Sequence, residues 1–150
     1  MGRRLGWLGS LTVAALVVVV PLPAGAAAGG YAQENLVSDQ PGVAQKTDPN
    51  LVNAWGMSRG PNTPIWVSNA GTATATLYTG GVGTVPFSIA PLVVSIPDGP
   101  PSGQVFNDTT AFTATGATAP ARFIFAGLGG SITVWNAGFV HARTSWPCWM

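Results

Sequence analysis

The sequence predicts an all-β fold, organised as a partial β-propeller of about two four-stranded meander blades behind an N-terminal signal peptide. Three observations lead there. Between Asn53 and Ile96, short runs rich in β-branched and aromatic residues are set apart by Gly, Pro and Asn at near-regular intervals, the pattern of antiparallel strands that follow one another in sequence. The same pattern then returns: Ile65–Asn69 matches Phe123–Gly127 at an offset of 58, Leu77 and Tyr78 match Val134 and Trp135 at 57, and Trp55 has Phe112 at 57. A repeat carrying four strands is the form of a propeller blade. Finally, the apolar run that raises the mean hydropathy is confined to the first residues.

Those first residues read as a leader. Arg3 and Arg4 precede the apolar run Leu11–Val20, a Pro21-Leu-Pro23 break and the small triplet Ala24-Gly-Ala26, the charged, apolar and cleavable order of a secretory signal peptide. An uncleaved anchor needs about 18 apolar residues, and Gly6, Gly9, Ser10 and Thr12 interrupt the only extension available. We therefore divide the chain into residues 1–26 as signal peptide, 27–138 as the blades and 139–150 as an atypical tail. The expected location is secreted, extracellular or cell envelope, with no stable membrane span after cleavage.

Cleavage after Ala26 leaves 124 residues with four Lys or Arg against five Asp or Glu. Nucleic-acid binding requires clustered cations that displace counterions from phosphates, and four scattered ones form no such patch. Cys148 is the only cysteine, so an internal disulfide is excluded even in an oxidising compartment. His141 is the only histidine, which rules out His-rich zinc sites. A Cys148/His141 nucleophile pair has its members seven residues apart in a Trp- and Pro-studded tail that offers no scaffold to orient them.

In chain order, Tyr31–Val37 reads as an extended opening strand closed by the turn Ser38-Asp39-Gln40-Pro41-Gly42. Thr47-Asp48-Pro49-Asn50 forms a second turn, and Leu51-Val52-Asn53 leads to Trp55. Asp39, Asp48, Asn50 and Asn53 thus gather in loops or at strand starts. Such side chains ordinarily satisfy turn backbone groups; the sharper reading is a loop face for a ligand or a hard cation such as Ca²⁺, which takes carboxylate, amide and carbonyl oxygens. No EF-hand spacing is present.

In Ile65–Asn69, alternation sets Ile65, Val67 and Asn69 on one face and Trp66 and Ser68 on the other, and apolar groups on both faces call for cover on both. From Thr72 to Leu77, Thr72, Thr74 and Thr76 share one face and Ala73, Ala75 and Leu77 the other. The Ala face suits close sheet packing, and the Thr ladder a strand nearer solvent. Gly80-Gly-Val-Gly83 is a loop, Leu92–Ile96 an apolar strand and Pro97–Gly103 a strong breaker. Trp66 and Phe123 are expected at equivalent places in successive blades, both buried between sheets. The second copy ends after its third strand, leaving the second blade incomplete. From Phe139 the text changes character, with the only His, the only Cys and two of six Trp, which reads as a frameshifted or misassembled end or else an ordinary aromatic strand.

Over Tyr31–Asn136 the chain resembles a family of exported bacterial proteins of uncharacterised function, expected to be β-propellers of the NHL or six-bladed type, some with a C-terminal sorting signal. The likeness lies in Asn35-Leu-Val-Ser-Asp39, Thr47-Asp-Pro-Asn-Leu-Val-Asn53, Trp55-Gly56, Trp66-Val-Ser-Asn69, Gly71-Thr72, Thr76-Leu-Tyr78, Gly103-Gln-Val-Phe-Asn107, Phe123-Ile-Phe-Ala126, Gly130-Ser-Ile132 and Trp135-Asn136. The family usually shows Asp-Asn-Gly where this chain has Asn69-Ala70-Gly71, so no carboxylate stands there. Family members are far longer, which implies a truncated fragment here, and no catalytic residue carries over.

The functional expectation is a module that binds a ligand, glycan or protein, or that serves a structural role. The alternatives are a fragment without activity and, after it, a metal-dependent hydrolase of the sugar-lactonase-like propeller type, an analogy of architecture alone.

Overall fold

The computed structural model describes residues 30–114 and 116–144, and the backbone alone for 139–144. Contacts divide the chain into Met1–Gln33 and Glu34–Met150, and the architecture below is that of the second unit. The expected signal peptide, residues 1–26, lies outside the described residues, as do 145–150 of the expected tail.

The described residues are all-β, with no helix among them and so none long and apolar enough to cross a membrane. A short parallel pair joins β1 (Val37–Ser38) to β2 (Lys46–Thr47), Val37 opposite Lys46 and Ser38 opposite Thr47. The expected opening strand Tyr31–Val37 is therefore ordered as a strand only at its end, where Gln45 and Lys46 donate to the carbonyls of Asn35 and Leu36.

Two four-stranded antiparallel meanders follow. The first is β3 (Ala54–Ser58), β4 (Ile65–Asn69), β5 (Thr74–Thr79) and β6 (Ser88–Ser95), hydrogen-bonded in that order. The second is β7 (Pro101–Phe106), β8 (Phe123–Gly127), β9 (Ile132–Asn136) and β10 (Phe139–Thr144), again in sequence order. The second meander thus has four strands rather than the three expected: Phe139–Thr144 pairs antiparallel with β9, Ala142 opposite Val134 and Thr144 opposite Ile132. Val140, Thr144 and the flanking aromatics carry enough β-propensity to extend the ladder once a partner edge is offered.

Register shows which residues of the two sheets are equivalent. Trp66 pairs with Leu77 and Ile124 with Val134, while Ile65 pairs with Tyr78 and Phe123 with Trp135. Trp66 therefore corresponds to Ile124, and Phe123 to Ile65, a one-residue correction to the expected Trp66–Phe123 equivalence that places the two rings on opposite faces. Ser58, opposite Trp66, corresponds to Val105, opposite Ile124. Trp55 accordingly has its counterpart within β7, and Phe112 lies beyond that strand. The offset breaks because the connection after β7 is longer than the one after β3.

The sheets stack face to face. Trp66, Ala75, Leu77 and Val94 on the front of the first sheet meet Phe123 and Phe125 on the back of the second in one buried core. Trp66 (2 % exposed) stacks on Phe123 (1 % exposed) with centroids 4.1 Å apart. The front of the second sheet is covered instead by its own long connection, where Ala114 and Ala121 pack with Val134, and Ile124 lies against them. Each sheet thus directs the same face the same way, a head-to-tail arrangement. Where β3 meets β7, a Cβ on Gly56 would lie 2.7 Å from the Ser102 carbonyl oxygen and 2.9 Å from the Gln104 nitrogen, so this contact admits only glycine.

Candidate functional site

The Thr face of β5, expected nearer solvent, is withdrawn from it: Thr76 is buried and Thr72 and Thr74 are half-buried. Its polar groups form a continuous chain behind the first sheet. The β2 strand delivers Asp48, 4 % exposed, and the Tyr78 hydroxyl donates to Asp48 Oδ2 at 2.8 Å. Tyr78 Oη and Thr76 Oγ1 lie 2.8 Å apart, and Asn69 Nδ2 donates to Thr76 Oγ1 at 3.0 Å and to Thr74 Oγ1 at 3.2 Å. Thr74 Oγ1 lies 2.8 Å from Thr72 Oγ1, which donates to the Asn50 carbonyl. Asp48 Oδ1 accepts from the backbone and side-chain nitrogens of Asn50. A buried polar face is tolerable only when partners are supplied in this way. Burial raises the Tyr78 phenol above its ordinary 10, the Thr76 hydrogen bond opposes this, and the Asp48 carboxylate reinforces it.

Of the four candidate ligating residues, the structure joins Asp48 and Asn50 directly. Asp39 follows β1 as Asp48 follows β2, and Asp48 N donates to the Ser38 carbonyl; the Asp39 carboxylate itself accepts from Gln40 Nε2 at 3.0 Å. Asn53 is exposed, takes a left-handed φ of 51° and accepts the Trp55 indole N–H at 3.1 Å. Both Asp48 oxygens are thus engaged by protein donors, and no three of His, Cys, Asp and Glu gather into a metal-holding group among the described residues. The backbone of His141 lies in β10; its side chain and Cys148 fall outside the described residues.

In the second sheet two buried asparagines organise the long connection after β7. Asn107 Nδ2 donates to the carbonyls of Ala111 and Ala121 at 3.1 and 2.9 Å, and its Oδ1 accepts from Thr109 N and Oγ1. Asn136 Nδ2 donates to the carbonyls of Ala119 and Pro120, and its Oδ1 accepts from Gly138 N. Together they fasten both ends of the segment and bring Arg122 to the start of β8.

That placement completes a cleft of about 340 Å³ between the two sheets, at the end where β4 and β8 begin and β5, β7 and β9 finish. Half-buried Phe106 and Trp135 and exposed Leu92 wall it over a floor of buried Trp66, Leu77 and Phe123, with Asn62 to Pro64 on one lip and Arg122 and Ala137 on the other. The rings brace one another: Trp66 to Trp135 at 4.6 Å and 55°, Phe106 edge-on to Phe123 at 5.3 Å. Such an aromatic frame is rigid and low in polarity, suited to binding rather than to proton transfer. Sequence reasoning located Trp66 and Phe123 but not this cleft. Arg122 and Trp135 gave a faint signal, as the residues directly before an aromatic strand and at the end of the next.

No protein-family model matches the chain, and no curated protein and no solved structure matches it significantly.

Proposed function

We propose that this chain is an exported, β-propeller-like binding module whose two sheets are successive blades and whose ligand seats in the cleft between them. The observation that carries this reading is the aromatic-walled cleft of about 340 Å³, within the volume range of small-molecule sites. The blade reading draws on the head-to-tail stack, in which Trp66 and its counterpart Ile124 face the same direction, as radial repetition of one unit requires. Export rests on the order of charged, apolar and small residues in 1–26. The expected partner is an extracellular small molecule or protein, because the Lys and Arg beyond the leader form no phosphate-binding patch.

A ligand-observed NMR screen of aromatic, aliphatic and sugar fragments against the full chain tests the module reading. Aromatic fragments bind the wild type and lose their signal with Ala137→Trp, which plugs the lip of the cleft. Aromatic fragments that bind neither protein, or bind both alike, would remove the cleft as the site. For export, mass spectrometry of the secreted product should find a new N-terminus near Ala26; intact Met1 in the membrane fraction would refute cleavage.

A further inference from the structure

We propose that the cleft selects a planar aromatic carboxylate, an inference that rests on the cleft being the binding site. Shape supplies the first half. Phe106 and Trp135, each half-buried, offer ring surface to the cleft over the buried Trp66–Phe123 stack; Trp135 lies 4.6 Å from Trp66 and Phe106 5.3 Å from Phe123, and a further ring adds to such a cluster by offset or edge contact. A flexible aliphatic chain would lose more rotamer freedom there for the same buried area.

Charge supplies the second half. Arg122 is the only charged residue lining the cleft among the described residues. It is exposed at the mouth, and among the described residues its guanidinium makes one hydrogen bond, a long donation from Nη1 to the Asn107 carbonyl, 3.5 Å. It forms no ion pair with Asp108 or any other carboxylate among the described residues. A guanidinium has five donors in a planar fork that matches a carboxylate, so most of that fork is available, held in place by Asn107 at one corner. Aromatic walls alone would also welcome an organic cation, but Arg122 repels one. A phosphate dianion finds no second cation in the lining among the described residues. A sugar needs several hydrogen-bonding groups, whereas Thr63 Oγ1 is already committed to Gly60 N and Pro64 O, leaving Asn62 as the remaining neutral polar side chain of the lining.

Isothermal titration of the full chain with 2-naphthoate, 2-naphthalenemethanol and (2-naphthylmethyl)trimethylammonium tests the inference. 2-Naphthoate should bind at least about tenfold more tightly than the neutral alcohol, the factor of one charge-assisted hydrogen bond. In Arg122→Gln the two affinities should converge, through a loss confined to the carboxylate, with the thermal unfolding midpoint unchanged because Arg122 is exposed. Raising the salt concentration should weaken 2-naphthoate alone. Equal affinity for acid and alcohol in the wild type, or tightest binding of the ammonium compound, overturns the carboxylate assignment while leaving the cleft as the site of an apolar or cationic ligand. Failure of all three to bind overturns both this inference and the cleft reading beneath it.

Discussion

At the scale of single residues, Asp48 decides how much of the polar chemistry is structural. Its carboxylate is withdrawn from solvent and shared among Asn50 and Tyr78, so it fixes the turn after β2 against the back of the first sheet. Removing the phenol with Tyr78→Phe leaves Asp48 Oδ2 without that donor and should destabilise the fold by about 1–3 kcal/mol, read from chemical unfolding at neutral pH. The pH dependence follows from the direction of the Tyr78 shift. Its pKa is higher folded than unfolded, so the stabilisation is whole below pH about 10 and declines as pH climbs through the interval above it. Unfolding free energy measured from pH 8 upward should turn down above about pH 10 in the wild type, and this downturn should shrink in Tyr78→Phe. An identical downturn in both would assign the alkaline loss to other groups.

At the scale of elements, the connections carry the strain. The β4–β5 turn passes through Ala73 at φ 52°, a left-handed conformation that the Ala Cβ disfavours by about 1–2 kcal/mol. Ala73→Gly should relieve that strain and, after the added unfolded-state entropy, leave the protein about as stable or up to ~1 kcal/mol more so. A drop in stability beyond that would mean the Ala73 methyl packs usefully. The opposite holds at Gly56, where β3 and β7 meet. Gly56→Ala drives a methyl into backbone at 2.7 Å, so it should destabilise by about 1–3 kcal/mol through forced separation of the strands. Fluorescence of Trp66, which stacks on the second sheet, should shift in that variant.

At the scale of the whole molecule, the two sheets share a core but not the same exposure. The front of the second sheet and its loop still present Val105, Phe112 and Leu128, each more than half exposed, and Val105, Phe112, Ile124 and Ile132 line a second apolar cavity. Exposed apolar faces on sheets promote association, and a net charge near zero does little to oppose it. The full chain should therefore sediment as concentration-dependent species, and the double variant Val105→Thr with Phe112→Ser should shift it towards monomer. Because both side chains are exposed, the unfolding midpoint should move little. A monodisperse monomer in the wild type at all concentrations would contradict this.

The sequence by itself determined the local text: ladders of β-branched and aromatic residues, turns at Asp-Pro and Gly-Gly, and a repeat near 57 residues, since period-two alternation and turn chemistry depend on neighbours only. It located β3, β4 and β5 to within a residue or so and the apolar strand of the second sheet, but β6 begins at Ser88, four residues before the expected Leu92, and β7 begins at Pro101, inside the expected breaker. The repeat offset of 58 already set Trp66 against Ile124, and the strand register follows that alignment rather than the expected pairing of the two rings by their bulk. Tertiary structure alone decided the rest. Whether the Thr ladder faces water depended on the turn after β2, whose Asp48 carboxylate accepts from Tyr78 at one end of the chain and whose Asn50 carbonyl accepts from Thr72 at the other, which no local pattern encodes. The cleft exists because Asn107 and Asn136 fold a long connection back to set Arg122 beside four rings, and long-range hydrogen bonds leave no mark in the order of residues.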